Sequence, residues 1–267
     1  MEPFPIADGL YYVGDKKVCI HLIDTGEGLI LIDSGYLGAS HLLVDSIWRT
    51  GFDPRDIKII LHTHGHTDHY GASSEFARMY GCKLAISRID AELVKRQSVN
   101  GCIGGLLRPL EMAPEFDMIL EDGDTVELGA VKIRCILTPG HTEGVLSFFF
   151  KATYLGEEYT VGLFGGAGVN ALTLPYLYKN GYPEDMPEKM LASIEELRAI
   201  DVDIHLGNHP SNNRTLEKRT KQENEGGNPF IDKTSWSDFL GGLEKKVKKI
   251  IEDNRKLGEE ADKVCDN

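Results

Sequence analysis

The stretch Leu61-His62-Thr63-His64-Gly65-His66-Thr67-Asp68-His69 places four histidines and one aspartate within nine residues. The run Ile57 to Leu61 is short and rich in β-branched residues, as is typical of a buried strand, and Gly71 to Tyr80 has the pattern of a helix. The cluster therefore lies on a loop from a strand to a helix, where rigid elements position functional side chains. Because packing gives no reason for so many adjacent polar rings, the stretch predicts a metal site.

The spacing of the first two candidate ligands predicts how they bind. His64 and His66 are two residues apart on an extended loop, so their side chains point the same way and converge on one ion. A third imidazole from a distant loop would close this face, and His141 is the candidate because it lies in a Pro- and Gly-framed turn after a predicted strand. Three neutral histidines and one water make an open, catalytic type of zinc site.

A second ion is predicted beside the first. Asp68 and His69 are adjacent in the chain and available to it, and His209 is the candidate third ligand because it follows another predicted strand, Val202 to Leu206. Imidazole ligands favour zinc over calcium or magnesium, which prefer oxygen. The predicted cofactor is therefore two zinc ions. The remaining isolated histidines are interpreted as structural: His21, His41, His62 and His205.

The order of predicted elements indicates an α/β fold. Strands alternate with helices from about Leu10 to Arg96, and a run of hairpin-connected strands from Ile119 onwards predicts a second sheet. Residues 211–233 are interpreted as an exposed polar loop, and an amphipathic helix over residues 234–257 should pack on the body of the protein. No linker separates independent domains, so residues 1–267 are predicted to form one domain.

Composition excludes several classes of protein. The net charge of -13 and the pI near 5.1 argue against nucleic acid as a general partner. No segment reads as a membrane span, and the five scattered cysteines do not suggest a disulfide framework. We therefore expect a cytoplasmic protein without a membrane partner, or a periplasmic or secreted one if a signal peptide has been removed. The oligomeric state is not predicted.

The motifs resemble those of a known family. Residues 63–69 resemble the HxHxDH signature of the metallo-β-lactamase superfamily, and Thr138-Pro139-Gly140-His141-Thr142 is similar to its downstream histidine motif. The similarity extends to the opening Gly-Leu-Tyr-Tyr-Val strand, to the turn at residues 29–35 and to Asp122-Gly-Asp-Thr. The resemblance implies an αβ/βα sandwich of two mixed sheets with outer helices and a dinuclear site at one edge.

One departure narrows the resemblance. Many hydrolases of the superfamily carry an aspartate that bridges both metals, and Ala167 occupies that place here. The remaining set is similar to that of the third subclass of metallo-β-lactamases, which also lacks the bridging aspartate; its members are His64, His66, His141, Asp68, His69 and His209. That subclass usually has a serine near position 167 and is exported, and this sequence shows neither feature. The resemblance implies a zinc-dependent hydrolase of an amide or lactam.

The predicted mechanism is attack of a metal-bound hydroxide on a carbonyl carbon, with Asp68 as the catalytic residue that orients the nucleophile. A site of net positive charge would favour a small, anionic substrate. Tyr176, Tyr178 and Tyr182 are candidate substrate-binding residues, and residues 97–116 are either a flap over the site or a loop packed on the core. Two alternatives stay open, namely a hydrolase of a lactone, thioester or phosphodiester, and a non-catalytic metal-binding protein.

Overall fold

Two mixed β-sheets form the centre of the molecule. The structure, a computed structural model, describes residues 1–100 and 113–265. The first sheet has seven strands that lie side by side in chain order: β1 (Phe4–Ala7), β2 (Leu10–Tyr12), β3 (His21–Asp24), β4 (Leu29–Ile32), β5 (Ile57–Leu61), β6 (Lys83–Ser87) and β7 (Met118–Leu120). The second has five strands in the order β12-β11-β10-β9-β8: β8 (Thr125–Leu128), β9 (Val131–Leu137), β10 (Leu146–Tyr154), β11 (Glu157–Leu163) and β12 (Ile204–Leu206).

Each sheet combines antiparallel and parallel pairs. Strands β1 to β4 are antiparallel to their neighbours, whereas β4 to β7 run parallel. In the second sheet only the β11–β12 pair is parallel. The helices are α1 (Ser40–Arg49), α2 (Thr67–Tyr70), α3 (Ser73–Tyr80), α4 (Arg88–Asn100), α5 (Leu174–Asn180), α6 (Met186–Arg198), α7 (Pro210–Asn213), α8 (Thr215–Glu225) and α9 (Ser235–Cys265).

Successive side chains along each strand point to opposite faces of its sheet, and this alternation forms the layers of the fold. In β4, Ile30 and Ile32 point into the core between the two sheets, while Leu29 and Leu31 point into the core beneath α1 and α3. In β10, the side chain of Phe149 points outwards, into the core formed with α6 and α9. Each sheet is therefore covered by helices on one face and by the other sheet on the opposite face. This arrangement confirms the predicted αβ/βα sandwich.

The prediction for residues 211–233 was wrong. This segment contains α7 and α8 rather than an exposed loop. Helix α8 lacks an apolar stripe, so its sequence shows no hydrophobic periodicity from which a helix could be predicted. The helix buries Thr215 and Lys218. Its other side carries the ion pairs Arg219–Glu223 and Lys221–Glu225, whose partners are four residues apart, a spacing that stabilises polar helices.

Element ends also differ from the predictions. Helix α9 continues to Cys265, beyond the predicted end at residue 257, and α4 continues to Asn100. Strand β1, which pairs with β2, was not predicted. Of residues 97–116, predicted to be either a flap over the site or a loop packed on the core, residues 97–100 belong to α4 and residues 101–112 lie outside the described residues. Within the described ranges, no helix combines the length and apolar character that crossing a membrane requires.

Candidate metal centre

The predicted ligands come together because strand ends from both sheets meet at one edge. The loops after β4 and β5 carry Asp33 and His64, since these parallel strands end side by side. From the second sheet, the loops after β9 and β12 carry His141 and His209. The predicted ligands therefore come from three separate loops, and Asp33, which was not a predicted ligand, comes from a fourth; each loop follows a buried strand.

The first cluster consists of His64, His66 and His141, as predicted. The Nε2 atom of His64 lies 3.1 Å from Nδ1 of His66, which in turn lies 2.9 Å from Nε2 of His141. Two nitrogens bound to one tetrahedral zinc at about 2.0–2.1 Å are about 3.3 Å apart. The three nitrogens are thus spaced nearly as they would be around a single ion.

Hydrogen bonds at the far side of the His64 and His141 rings assign the protons of these two residues. The Nδ1 atom of His64 faces the carbonyl oxygen of Gly165 at 2.9 Å, and Nδ1 of His141 faces that of Gly168 at 2.8 Å. Since a carbonyl oxygen only accepts, both Nδ1 atoms carry the proton and both Nε2 atoms present lone pairs. If Nδ1 of His66 carried a proton, it would donate a hydrogen bond to one of these two lone pairs and leave the other without a partner. A shared cation would instead bind all three nitrogens.

The second cluster consists of Asp68, His69 and His209. The Oδ2 atom of Asp68 lies 3.5 Å from Nε2 of His69 and 3.8 Å from Nε2 of His209. The Nδ1 atom of His69 donates to Oδ2 of Asp33 at 2.7 Å, and Nδ1 of His209 donates to the carbonyl oxygen of Lys17 at 2.7 Å. The rings of His64 and His69 are 4.2 Å apart between centroids, so the two clusters are adjacent.

Asp33 joins the two clusters through its hydrogen bonds. Its carboxylate is buried and accepts hydrogen bonds from the backbone N–H and the hydroxyl of Thr63, at 2.8 and 2.9 Å, in addition to that from His69. The residue has a φ of 63°, a left-handed conformation that aspartate and asparagine tolerate better than most side chains. One carboxylate therefore orients a second-cluster ligand and the residue that precedes His64.

Burial keeps the first cluster neutral. Desolvation, assisted by the neighbouring histidines, lowers the pKa of His66 to about 3; desolvation also lowers the pKa of His141 to about 4 and that of His64 well below its usual range. Burial likewise opposes charge on His69, but the carboxylates of Asp33 and Asp68 outweigh it and raise its pKa. Neutral imidazole is the form that binds a metal.

The donor set fits zinc. In each cluster, three ligand atoms lie within 4.8 Å of one another, and the six ligands are five imidazoles and one carboxylate. The buried Nε2 atom of His69 has no hydrogen-bond partner among the described residues, which is costly unless a cation occupies its lone pair. Imidazole-rich sites with outer hydrogen bonds of this kind are typical of zinc.

The groups that hold the ligands were not predicted from the sequence. The glycine-rich segment at residues 165–168 supplies the carbonyl oxygens that face His64 and His141. A Cβ atom at Gly168 would lie 2.5 Å from Cε1 of His141, so only glycine fits there. Ala167 lies in this segment, at the place predicted for the missing bridging carboxylate. The glycine run in the sequence was a signal for such a close approach, but its partner could not be read from the sequence.

The three candidate tyrosines lie on and after α5. The rings of Tyr176 and Tyr182 stack with 6.2 Å between centroids. Burial raises the pKa of Tyr182, and the carboxylates of Asp90 and Glu143 raise it further. Tyr178 is exposed, and its hydroxyl donates to Glu184 at 2.8 Å. A role for these side chains in substrate binding stays a prediction.

The four histidines interpreted as structural lie outside both clusters. The ring of His62 lies between the carbonyl oxygen of Ala85 and the hydroxyl of Ser73, and His21 bonds the carbonyl oxygen of Gly207. His205 packs against aromatic rings of α9, and His41 is exposed on α1. Three of them are buried, so their protonation affects stability.

We expect the metal-free protein to lose stability as the pH falls from 6.5 towards 4. Burial lowers the pKa of His21 to about 4 and that of His205 to about 3, below the 6.5 of an unfolded histidine. Between these values the unfolded chain binds protons that the folded chain excludes, so acid favours unfolding. Each of the two histidines should cost about 2 kcal/mol by pH 5.

Urea unfolding of the metal-free protein at pH 7.5, 6 and 5 measures this loss. His205→Phe removes one titrating group from an aromatic pocket, and we expect it to reduce the pH dependence while leaving the direction unchanged. A free energy of unfolding that is constant over this range would contradict the prediction.

Comparisons with known proteins show which family the chain resembles. The sequence profile described as "Metallo-beta-lactamase superfamily" matches residues 14–152. Among solved structures, the subclass B3 metallo-beta-lactamase BJP-1 of Bradyrhizobium japonicum superposes with a TM-score of 0.85 at 28% identity, and the match covers 96% of each chain. The native FEZ-1 metallo-beta-lactamase from Legionella gormanii gives a TM-score of 0.85 at 27% identity, over 96% of this chain and 97% of that one.

Sequence relatives cover a shorter part of the chain. A probable metallo-hydrolase of Bacillus subtilis is 27% identical over 157 residues, which is 58% of this chain and 71% of that protein. A hydroxyacylglutathione hydrolase of Methylococcus capsulatus is 31% identical over 153 residues, or 57% of this chain and 45% of that enzyme. The chain therefore matches less than half the length of the latter enzyme.

Proposed function

The chain belongs to the metallo-beta-lactamase superfamily, and from this premise we propose that it is a zinc-dependent hydrolase that opens the amide bond of β-lactams. The observation that carries the proposal is the pair of adjacent three-ligand clusters, built without a carboxylate at Ala167. The similarity to subclass B3 metallo-beta-lactamases extends over nearly the whole chain, which supports the proposed hydrolysis of β-lactams. As a family member the protein is a hydrolase; the metal, its two-ion stoichiometry and the substrate are the proposed parts.

Each cluster would hold one ion. His64, His66 and His141 would bind the first, and Asp68, His69 and His209 the second. Zinc bound there would supply Lewis acidity and lower the pKa of water to about 7. The six ligands carry a single negative charge, that of Asp68, so the loaded site would be net positive and would favour an anionic small-molecule substrate.

Asp68 has a role in the reaction besides binding. It is the one carboxylate of the six, and its side chain is only half-buried, with Oδ2 between His69 and His209. A carboxylate oxygen in that place would accept a hydrogen bond from an attacking water and orient it towards a carbonyl carbon. The other five ligands are imidazoles already committed to a carbonyl, a carboxylate or the metal.

A thioester hydrolase is the second candidate. It is favoured by the 31% identity to a hydroxyacylglutathione hydrolase, although the match covers less than half of that enzyme. Lactones and phosphodiesters are the remaining substrate classes that the same pair of metals would hydrolyse.

The expected localisation in the cytoplasm stays a prediction. It is supported by the buried thiols of Cys19, Cys82 and Cys135, which form no disulfide.

A substrate panel combined with metal analysis separates these functions. We expect about two zinc ions per chain by elemental analysis, and a higher kcat/KM for nitrocefin than for S-lactoylglutathione, acyl-homoserine lactones or bis-p-nitrophenyl phosphate. Turnover of a non-lactam substrate alone would reject the lactam proposal and leave the hydrolase. A protein that binds metal and hydrolyses none of the four would indicate a non-catalytic metal protein, and iron in place of zinc would reject the metal assignment.

A further inference from the structure

A fully buried carboxylate joins the two loops that carry the first cluster. Asp90, in the first turn of α4, accepts a hydrogen bond at Oδ2 from the backbone N–H of Gly65 at 2.7 Å and another from the hydroxyl of Thr142 at 2.6 Å. Its Oδ1 accepts from the backbone N–H of Gly144 at 3.1 Å. Gly65 lies between the ligands His64 and His66. Thr142 directly follows His141.

We propose that Asp90 is a positioning residue that sets the separation of His66 from His141, and thereby the metal affinity of the first site alone. The two ligands are 75 residues apart in the chain, and their facing nitrogens lie 2.9 Å apart. The carboxylate of Asp90 hydrogen-bonds to both of their loops. A fixed carboxylate converts two independent loops into one rigid ligand frame.

Close packing around Asp90 supports this role. A Cβ atom at Gly144 would lie 2.5 Å from Oδ1 of Asp90, and one at Gly65 would lie 3.2 Å from its carbonyl oxygen. Both loops thus approach Asp90 closely at a glycine, Gly144 at the carboxylate and Gly65 at the backbone carbonyl. The backbone N–H of Asp90 is itself bonded to the hydroxyl of Ser87 at 3.2 Å, which ties the residue to the end of β6.

The chemistry at this position requires a carboxylate rather than an amide. Three donors face Asp90, and an ionised carboxylate offers acceptors to all of them. Asparagine has the same shape but presents an NH₂ group at one of its two ends. That group would meet the N–H of Gly144 or the two donors on the other side, so at least one loop loses its partner.

The two histidines of the second cluster are oriented by different groups. Asp33 holds His69, and the carbonyl oxygen of Lys17 holds His209. A change at Asp90 should therefore affect the two sites unequally, whereas a general loss of structure would affect both. This inequality is the readout that separates a positioning role from a merely structural one.

Cobalt titration of the metal-free, full-length protein tests the proposal. Binding is followed by the visible absorption of the bound ion, with a competing chelator to measure each affinity, and His209→Ala serves as the reference for the first site alone. We expect Asp90→Asn to weaken the first-site affinity by about 10- to 100-fold, the usual cost of losing an outer hydrogen-bond partner, and to leave the second site unchanged. Equal weakening of both sites, or of neither, would overturn the proposal.

Substitutions at Thr142 keep the proposal testable if Asp90→Asn does not fold. Thr142→Val keeps the shape and removes one of the three donors, and we expect a smaller weakening of the same site. Thr142→Ser keeps the hydroxyl and should titrate as the unchanged protein does. Identical cobalt affinities in the valine and serine variants would overturn the proposal.

The inference rests on the proposed metal centre but not on the substrate. A parent protein that binds no cobalt in either cluster would reject both the metal centre and the role of Asp90. A parent protein that binds two ions but leaves nitrocefin intact would reject the lactam substrate only, and the selective effect of Asp90→Asn would still support the positioning role.

Discussion

Replacing His66 by alanine should lower kcat/KM for hydrolysis by more than about 100-fold, beyond the 10- to 100-fold usual for outer hydrogen-bond partners. His66 contributes the nitrogen that lies between the Nε2 atoms of His64 and His141. Without it, two lone pairs remain, and the proposed first ion would lose one of its three protein ligands. Steady-state kinetics on the best substrate of the panel, with zinc content measured on the same sample, checks the effect.

The control for this experiment is His41→Ala. His41 is an exposed histidine on α1 that belongs to neither cluster, so its replacement should change neither zinc content nor kcat/KM. A His66→Ala protein with full activity and two zinc ions would contradict the assignment of the first cluster. A parallel loss in both variants would point to a general effect on folding.

Asp33→Asn should destabilise the metal-free protein by at least about 2 kcal/mol, because burying unsatisfied donors costs about 1–3 kcal/mol each. The carboxylate accepts three hydrogen bonds, and an amide of the same shape cannot accept all of them. The same change should weaken zinc binding at the second cluster, since His69 loses the acceptor that fixes its Nδ1 proton. Urea unfolding and metal analysis measure the two effects.

Asparagine is the informative substitution at this position. It tolerates the left-handed backbone at φ 63° about as well as aspartate, so the result reports hydrogen bonding and charge rather than backbone strain. Asp24→Asn is the matched control, because Asp24 is exposed at the end of β3 and should shift stability by less than about 0.5 kcal/mol. Equal stability of the Asp33 and Asp24 variants would contradict the proposal that the hydrogen bonds of Asp33 join the two clusters.

The fold class was predictable because its evidence is local. Short apolar runs such as Leu29–Ile32 and the strand-like segment before the histidines are recognisable within a few residues, because their length and β-branched content are typical of buried strands. Helix α8 escaped prediction for the converse reason. Its stability comes from ion pairs four residues apart and from contacts made by Thr215 and Lys218, so it leaves no apolar period in the sequence.

By itself, the sequence determined which residue types are available for a metal and the short spacings that group them, as in His64, His66, Asp68 and His69. Only the tertiary structure decided how the histidine rings of the two clusters are oriented. The partners that assign their protons are distant in the chain: Gly165 lies 101 residues from His64, and Lys17 lies 192 residues from His209. Such pairings depend on how two twisted sheets pack against each other. The same packing placed Asp33 and Asp90 beside the site, and the sequence did not predict that either carboxylate holds a ligand or its loop.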